Sequence, residues 1–368
     1  MSAMLDKLTI KGFKSIERLE AFKLGKINVL IGANGAGKSN FVEFFRLLRA
    51  MVELRLQEHV RKNAPADGFF YNGIKETTHI ESEMFFGQNR YAFKLEPTAD
   101  GSLFVAHEET QYLGSAYTNT IARASQESGL VAHKNDPGLR SAHGPNWWVW
   151  SAVSSWQVYH FHDTSTSAGM RRYVGIDQSE TLASDASNLA AFLMKLRDEE
   201  EDRYAVLIKT IRRIAPFFND FLLTPATGKR EDQVRLRWKR KDSDYVFSPG
   251  HLSDGTIRFI CLATVLTQSK PPATVVLDEP ELGLHPEAIA VLGGLMRSAS
   301  SRMQIIIATQ SPILLNEFEA DQVITVDQID GASRFQRLDS SDLERWLTDF
   351  TVGDLWQKGN IRGGVNDA

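Results

Sequence analysis

Apolar and polar positions alternate at the start of the chain, where Leu8 and Ile10 stand between Lys7, Thr9 and Lys11 until Gly12 interrupts them. Period two predicts a half-buried strand. An apolar run at 27–31, closed by Val29, Leu30 and Ile31, predicts a buried strand. It leads into Gly32-Ala33-Asn34-Gly35-Ala36-Gly37-Lys38-Ser39. Beyond that loop, Phe41, Val42, Phe44, Phe45, Leu47 and Leu48 recur at helical spacing, and the helix is expected to run to about His59.

The texture then changes. Strand-like runs occur at 80–86, 91–95 and 103–107, with turn signals between them. Residues 115–146, rich in Ser, Ala, Gly, Asn and His, read as a long surface loop or lid. Trp147, Trp148, Trp150 and Trp156 follow and read as a satellite core. A helical block is expected over 187–218, its acidic run at 198–202 forming a solvated surface. Alternation returns at 221–223 and 234–238, where Arg235, Arg237, Lys239, Arg240 and Lys241 make the best local basic patch, read first as the outer face of a strand. The last third predicts a helix after Gly255, a strand at 274–277, a helix at 286–297, a strand at 304–308, a further helix and a strand at 322–326. This is α/β texture.

Composition narrows the class. The 368 residues are 42% hydrophobic and 24% charged, enough to bury a core and unlike a disordered chain. The net charge of −4 means that any nucleic-acid contact must use a local patch. The single cysteine, Cys261, excludes a disulfide framework and a cysteine zinc site. The start has no signal-peptide pattern, and no stretch approaches the roughly 18 apolar residues of a membrane span, so a cytoplasmic protein is expected.

Gly32-x4-Gly37-Lys38-Ser39 between a strand and a helix is a P-loop pattern. Glycines permit the positive φ that turns successive N–H groups toward one anion. The following helix offers its N-terminus to the same phosphates. Lys38 is expected to neutralise the β- and γ-phosphates of ATP, and the Ser39 hydroxyl to ligate Mg²⁺. Far downstream, Val275-Val276-Leu277-Asp278-Glu279-Pro280 is an apolar strand ending in two carboxylates. Asp278 is expected to hold Mg²⁺ through its water shell, and Glu279 to orient and polarise an attacking water.

With these motifs in place, the sequence resembles the RecF, SMC and OLD-like ABC-type ATPases, and most nearly the bacterial AAA-family, RecF-like ATPases. Leu252-Ser253-Asp254-Gly255-Thr256 looks like the ABC signature motif. The run from Leu277 to Pro286 looks like a Walker B and D-loop. Ile10-Lys11-Gly12-Phe13-Lys14-Ser15-Ile16 and Gly35-Ala36-Gly37-Lys38-Ser39-Asn40 are similar to the same group. So are 158–165 and the tail Gly353-Asp354-Leu355-Trp356. The resemblance spans essentially the whole chain. It implies that residues 32–40 bind ATP and that two chains pair head to tail around two ATP molecules. Leu252, Ser253, Asp254 and Gly255 would then reach the partner's ATP. Gln310 stands where the switch histidine usually lies; an amide does not titrate near neutral pH, and slow hydrolysis is expected. The Q-loop should follow a mid-chain strand at 156–161, leaving His162 or Asp163 to face Mg²⁺ and water. His160 and His162 would share one strand face, but no third metal ligand is visible nearby.

The expected fold is an α/β P-loop NTPase, an ABC-type ATPase head with a mixed sheet, an antiparallel β subregion and a helical signature lobe. Residues 1–368 would form one discontinuous head. Residues 1–62 and 270–340 would make the nucleotide-binding lobe, 63–165 a β-rich insertion, 166–269 the helical signature lobe and 341–368 a C-terminal helical tail. The first functional expectation is an ATP-gated dimer that switches a separate effector, such as a nuclease, in DNA maintenance or anti-phage defence. The alternative is a RecF-like DNA-binding repair ATPase without a nuclease partner. A transporter subunit is disfavoured, because the strand-rich stretch before Ser253 is too long for that compact class.

Overall fold

The structure, a computed structural model, describes residues 4–63, 65–115, 118–134, 144–228 and 230–361. Strand β1 (Lys7–Phe13) buries Leu8 and Ile10 as the alternation predicts, and β2 (Ile16–Lys23) pairs with it antiparallel. Strand β3 (Ile27–Ile31) is buried at every position and feeds the glycine loop. Helix α1 (Lys38–Val52) and helix α2 (Leu56–Asn63) follow. An antiparallel meander comes next: β4 (Ile80–Phe86), β5 (Asn89–Pro97), β6 (Leu103–Tyr112) and β7 (Thr118–Ser125). Helices α3 (Leu130–His133) and α4 (Pro145–Ser154) lead to β8 (Gln157–Tyr159).

The helical region holds β9 (Val174–Gly175), α5 (Leu189–Glu199), α6 (Glu201–Ile214), β10 (Phe218–Phe221), β11 (Gln233–Val234), β12 (Trp238–Arg240) and β13 (Val246–Phe247). Then come α7 (Asp254–Thr267), β14 (Thr274–Asp278), α8 (Pro286–Ala299), β15 (Gln304–Ala308), α9 (Pro312–Leu315), β16 (Val323–Ile329) and β17 (Ala332–Arg337). Helices α10 (Ser340–Leu347) and α11 (Val352–Gln357) complete the order.

The central sheet runs β17-β16-β3-β15-β14-β8, with β17 antiparallel and the rest parallel. The two carboxylates of 278–279 therefore end a strand one place removed from the strand of the glycine loop. Both faces of this sheet are covered, which is why its strands read as continuous apolar runs. Leu30, Val276 and Ile306 face one core together with Phe41, Phe44 and Phe45 of α1 and Ile80 and Phe93 of the meander. Val29, Val275, Leu277 and Ile305 face the other, against residues of α5, α6, α7 and α8. Helix α1 is thus held between two sheets, and each buried ring contributes about 2–3 kcal/mol.

Several expectations change. Strands β1 and β2 join β4 to β7 in a second six-stranded sheet, ordered β2-β1-β4-β5-β6-β7, while β8 joins the central sheet. A boundary at residue 63 therefore does not separate the sheets, because pairing follows edge hydrogen bonding rather than chain order. The stretch read as a loop at 115–146 contains β7, which pairs with β6, and α3; residues 116, 117 and 135–143 of that stretch lie outside the described residues. The helical block breaks at Glu200, which ends α5 and starts α6. Trp156 is buried at 1% exposure against Phe45 and Phe86, whereas Trp147, Trp148 and Trp150 are half-buried on or beside α4.

Candidate functional site

The glycine loop bridges β3 and α1. Gly35 and Gly37 take φ of 82° and 116°, a region open to glycine, and Gly37 caps α1. Gly32 sits so close beneath β16 that a Cβ there would run into the Val326 carbonyl. Lys38 is 6% exposed and its Nζ donates to the carbonyls of Gly32 at 2.7 Å and Ala33 at 3.0 Å. Burial lowers its pKa, while the nearby Glu279, Asp278 and Glu281 act in the opposite direction. Ser39, Asn34 and Gly35 are exposed, whereas Ala36 is buried.

The loop has a backstop that lies far away in sequence. Ser333 of β17 donates its hydroxyl to the Ala36 carbonyl at 2.6 Å and meets the Ser15 hydroxyl at 2.7 Å. Asn40 donates from Nδ2 to the same Ser15 hydroxyl at 2.7 Å. A Cβ on Gly37 would collide with the Ser333 hydroxyl. The hairpin turn at Ser15 and strand β17 therefore hold the loop from behind.

Asp278 closes β14. Burial pushes its carboxyl above the usual range, and Arg46 and His162 oppose that shift. Glu279 lies in the left-handed region at φ 45°, with its N–H on the Ala308 carbonyl at 2.8 Å. For a non-glycine residue this conformation costs about 1–2 kcal/mol. Its Oε1 accepts from Gln310 Nε2 at 2.7 Å, which joins the ends of β14 and β15. Glu281 accepts from the Thr309 hydroxyl at 2.5 Å and from the Gln310 N–H at 3.2 Å through Oε1. Among the described residues its buried Oε2 has no hydrogen-bond partner, and burial raises the pKa of the carboxyl.

His162 shares a small cavity with Asp278 and Glu279, whose lining Asp163 does not join. Asp163 instead accepts from the Ser165 N–H at 3.0 Å, and hydrogen bonding from the Ser165 hydroxyl, then from that N–H, draws its pKa down. Strand β8 ends at Tyr159, short of the expected 161, so His160 and His162 lie beyond it, both exposed on either side of the buried Phe161. His160 lines a different cleft, with Arg46 and His59. Among the described residues, no group of three or more His, Cys, Asp or Glu could hold a metal ion.

Ser253 caps α7, accepting from the Thr256 N–H at 3.1 Å and meeting the Thr256 hydroxyl at 2.8 Å. Thr256 thereby completes the cap. Ser253 and Asp254 are exposed, Leu252 is buried, and Gly255 approaches the Gly283 carbonyl so closely that a Cβ would collide with it. Two buried guanidinium groups tie this motif down. Arg171 donates to Asp254 Oδ1 at 2.9 Å and to the Leu252 carbonyl at 3.3 Å. Arg258 donates to the carbonyls of Phe161 at 2.8 Å, His162 at 3.3 Å and Leu282. It thus links α7, the segment after β8 and the segment after β14. Ser15, Arg46, Arg171, Arg258, Glu281 and Ser333 all lie in this machinery without having carried a sequence-based role.

A glycine loop between a strand and a helix, two carboxylates closing a nearby strand and a capped helix at 254–267, built on this sheet order, fit a P-loop ATPase of ABC type. The chain belongs to the family described as "AAA domain, putative AbiEii toxin, Type IV TA system", which matches residues 27–122 and 133–316. No curated protein matches the sequence. Among solved structures, an SMC head bound to the C-terminal winged-helix domain of ScpA aligns with TM-score 0.60 and 17% identity, over 93% of this chain and 99% of that one. An SMC head from Pyrococcus furiosus with an extended coiled coil, bound to the C-terminal domain of ScpA, gives TM-score 0.52 and 16% identity over 94% and 99%. The fold is that of the SMC head ATPase domain. Among the described residues, no helix is long and apolar enough to cross a membrane.

Proposed function

We propose that the chain is an ATP-hydrolysing head that pairs with a second copy around two ATP molecules and passes this two-state signal to a separate effector, such as a nuclease. The observation that carries the reading is the joined pair Glu279 and Gln310 at the ends of β14 and β15, beside the Walker A loop. In this reading the N–H groups of residues 32–40 and the Lys38 ammonium bind the phosphates. Ser39 and Asp278 would hold Mg²⁺, which neutralises phosphate charge when bound. The exposed Ser39 hydroxyl and the half-buried Asp278 carboxylate are hard oxygen donors suited to that ion. Glu279 takes the proton of the attacking water, and Gln310 orients the carboxylate. His162 is the Q-loop candidate that its shared cavity with Asp278 favours over Asp163.

The exposed Ser253 at the start of a 14-residue helix supports a trans contact to the partner's γ-phosphate, with Leu252, Asp254 and Gly255 forming the rest of that surface. Loss of the γ-phosphate would open the pair. DNA maintenance or anti-phage defence is the setting we infer, with the cytoplasm as location. Light scattering of Glu279→Gln tests the reading. Mg-ATP should shift the mass from one chain of 41.3 kDa to two. A mass that ATP leaves at one chain overturns the pairing.

One observation favours a second reading, direct DNA contact. Arg230, Arg235, Arg237, Lys239, Arg240 and Lys241 include no residue with a carboxylate within 4.0 Å among the described residues. Exposed Tyr173 lies under Arg230 and Arg235, and exposed Phe217 under Arg240. Cations interleaved with rings suit a nucleic-acid strand. Absence of salt-sensitive DNA binding at low salt removes this reading.

A further inference from the structure

Arg46 lies on α1 beyond the glycine loop and faces two carboxylates at once. Its Nη1 donates to Glu43 Oε2 at 3.0 Å, and its Nη2 stands 3.9 Å from Asp278 Oδ2. Glu43 is buried, and its other oxygen lies 3.2 Å from His59 Nε2. His59, Glu43, Arg46 and Asp278 therefore form one continuous line of ionisable groups, running from α2 to the end of β14. The two ends of the Arg46 contact are unequal: a hydrogen bond to Glu43 and a looser ion pair to Asp278. Arg46 also lines a cleft of about 390 Å³, with Arg49, His59 and His160 on its walls. The guanidinium has room there to leave Asp278 without losing Glu43.

We propose that Arg46 is a positioning residue for the divalent cation, shared between Glu43 and Asp278 so that the division between them sets metal affinity. This rests on the reading of Asp278 as the Mg²⁺ carboxylate. Without a cation, Arg46 screens Asp278. With a dication held at Asp278, the Arg46 guanidinium would be favoured toward Glu43 and the cleft, and giving up the Asp278 contact would lower the affinity. Removing Arg46 removes the repulsion and leaves Glu43 as extra negative charge nearby. Removing the Glu43 charge releases Arg46 fully onto Asp278. The two changes break the same ion pair, yet they act on the metal with opposite sign. A merely structural ion pair would shift both variants in one direction.

The test is Mn²⁺ binding by the full chain with ADP, read from the electron paramagnetic resonance signal of free Mn²⁺. R46Q should tighten binding and E43Q should weaken it, each on the order of fivefold. R46K, which keeps the charge, should stay near the wild type. If E43Q does not fold, as judged by its melting curve, E43D takes its place with the same expected sign, because its shorter side chain cannot hold the guanidinium. Shifts in the same direction, or no shift in folded R46Q and E43Q, overturn the proposal. Asp278→Asn separates the two readings. Loss of Mn²⁺ there with unmoved R46Q and E43Q overturns the Arg46 role alone. Retained Mn²⁺ there overturns the Asp278 assignment and the proposal with it.

Discussion

Gln310 and Glu279 are directly joined: the amide Nε2 donates to the carboxylate Oε1 at 2.7 Å. The amide fixes which oxygen of Glu279 is engaged and leaves the other for a water. A histidine at 310 could carry charge in this contact; glutamine cannot, so residue 310 contributes a hydrogen bond and no charge of its own.

Gln310→Ala should therefore lower kcat about tenfold and leave ATP affinity unchanged. Single-turnover kinetics beside a nucleotide titration measure the two separately. An equal loss in affinity would place Gln310 in nucleotide binding instead.

Lys38→Ala should weaken ATP binding by about a hundredfold or more, since a charge-assisted contact to phosphate is worth roughly 3 kcal/mol. Titration with a fluorescent ATP analogue reads this. Gly32→Ala should give a comparable defect by another route, because its Cβ pushes the loop off the Val326 carbonyl.

Arg258→Met should reduce stability by about 2–4 kcal/mol, through the carbonyls of Phe161, His162 and Leu282 left without their donor. Urea unfolding gives the value. The same variant should slow hydrolysis without weakening ATP binding, since the segments it joins come from three different elements.

Glu281 supplies a pH signature. Burial raises its folded pKa above the unfolded value, so its contribution to stability is present below the unfolded pKa and is lost as pH rises through the folded one. Glu281→Gln keeps the acceptor for Thr309 and Gln310 and removes the buried charge. Melting temperature should rise relative to wild type at pH 7.5, and the gain should shrink toward pH 4. A gain independent of pH would mean that the carboxyl is not the cause.

Local chemistry was the readable part. Gly32 to Ser39 is contiguous, and Val275 to Glu279 carries its own strand, so both motifs declare themselves within ten residues. The buried strands β3, β14 and β15 followed from uninterrupted apolar runs. What stayed hidden depends on distant pairings. Ser333 and Ser15 acquire their roles because β17 folds back beside the first hairpin, and no local pattern at either residue signals its contact with the glycine loop. Arg46 reads as one more polar position on α1 until β14 places Asp278 opposite it. Strand β7 was masked by a loop-like composition, and its pairing with β6 supplied what local propensity did not.

The backstop behind the glycine loop also imposes an order on the life of the molecule. Residues 32–39 are translated well before Ser333, which supports Ala36 and crowds Gly37 from almost three hundred residues further along the chain. A nascent chain thus carries the glycine loop without its Ser333 support until β17 has been made. Nucleotide capture then becomes a late event, and a truncation before β17 should yield a chain that displays the complete motif and holds ATP poorly.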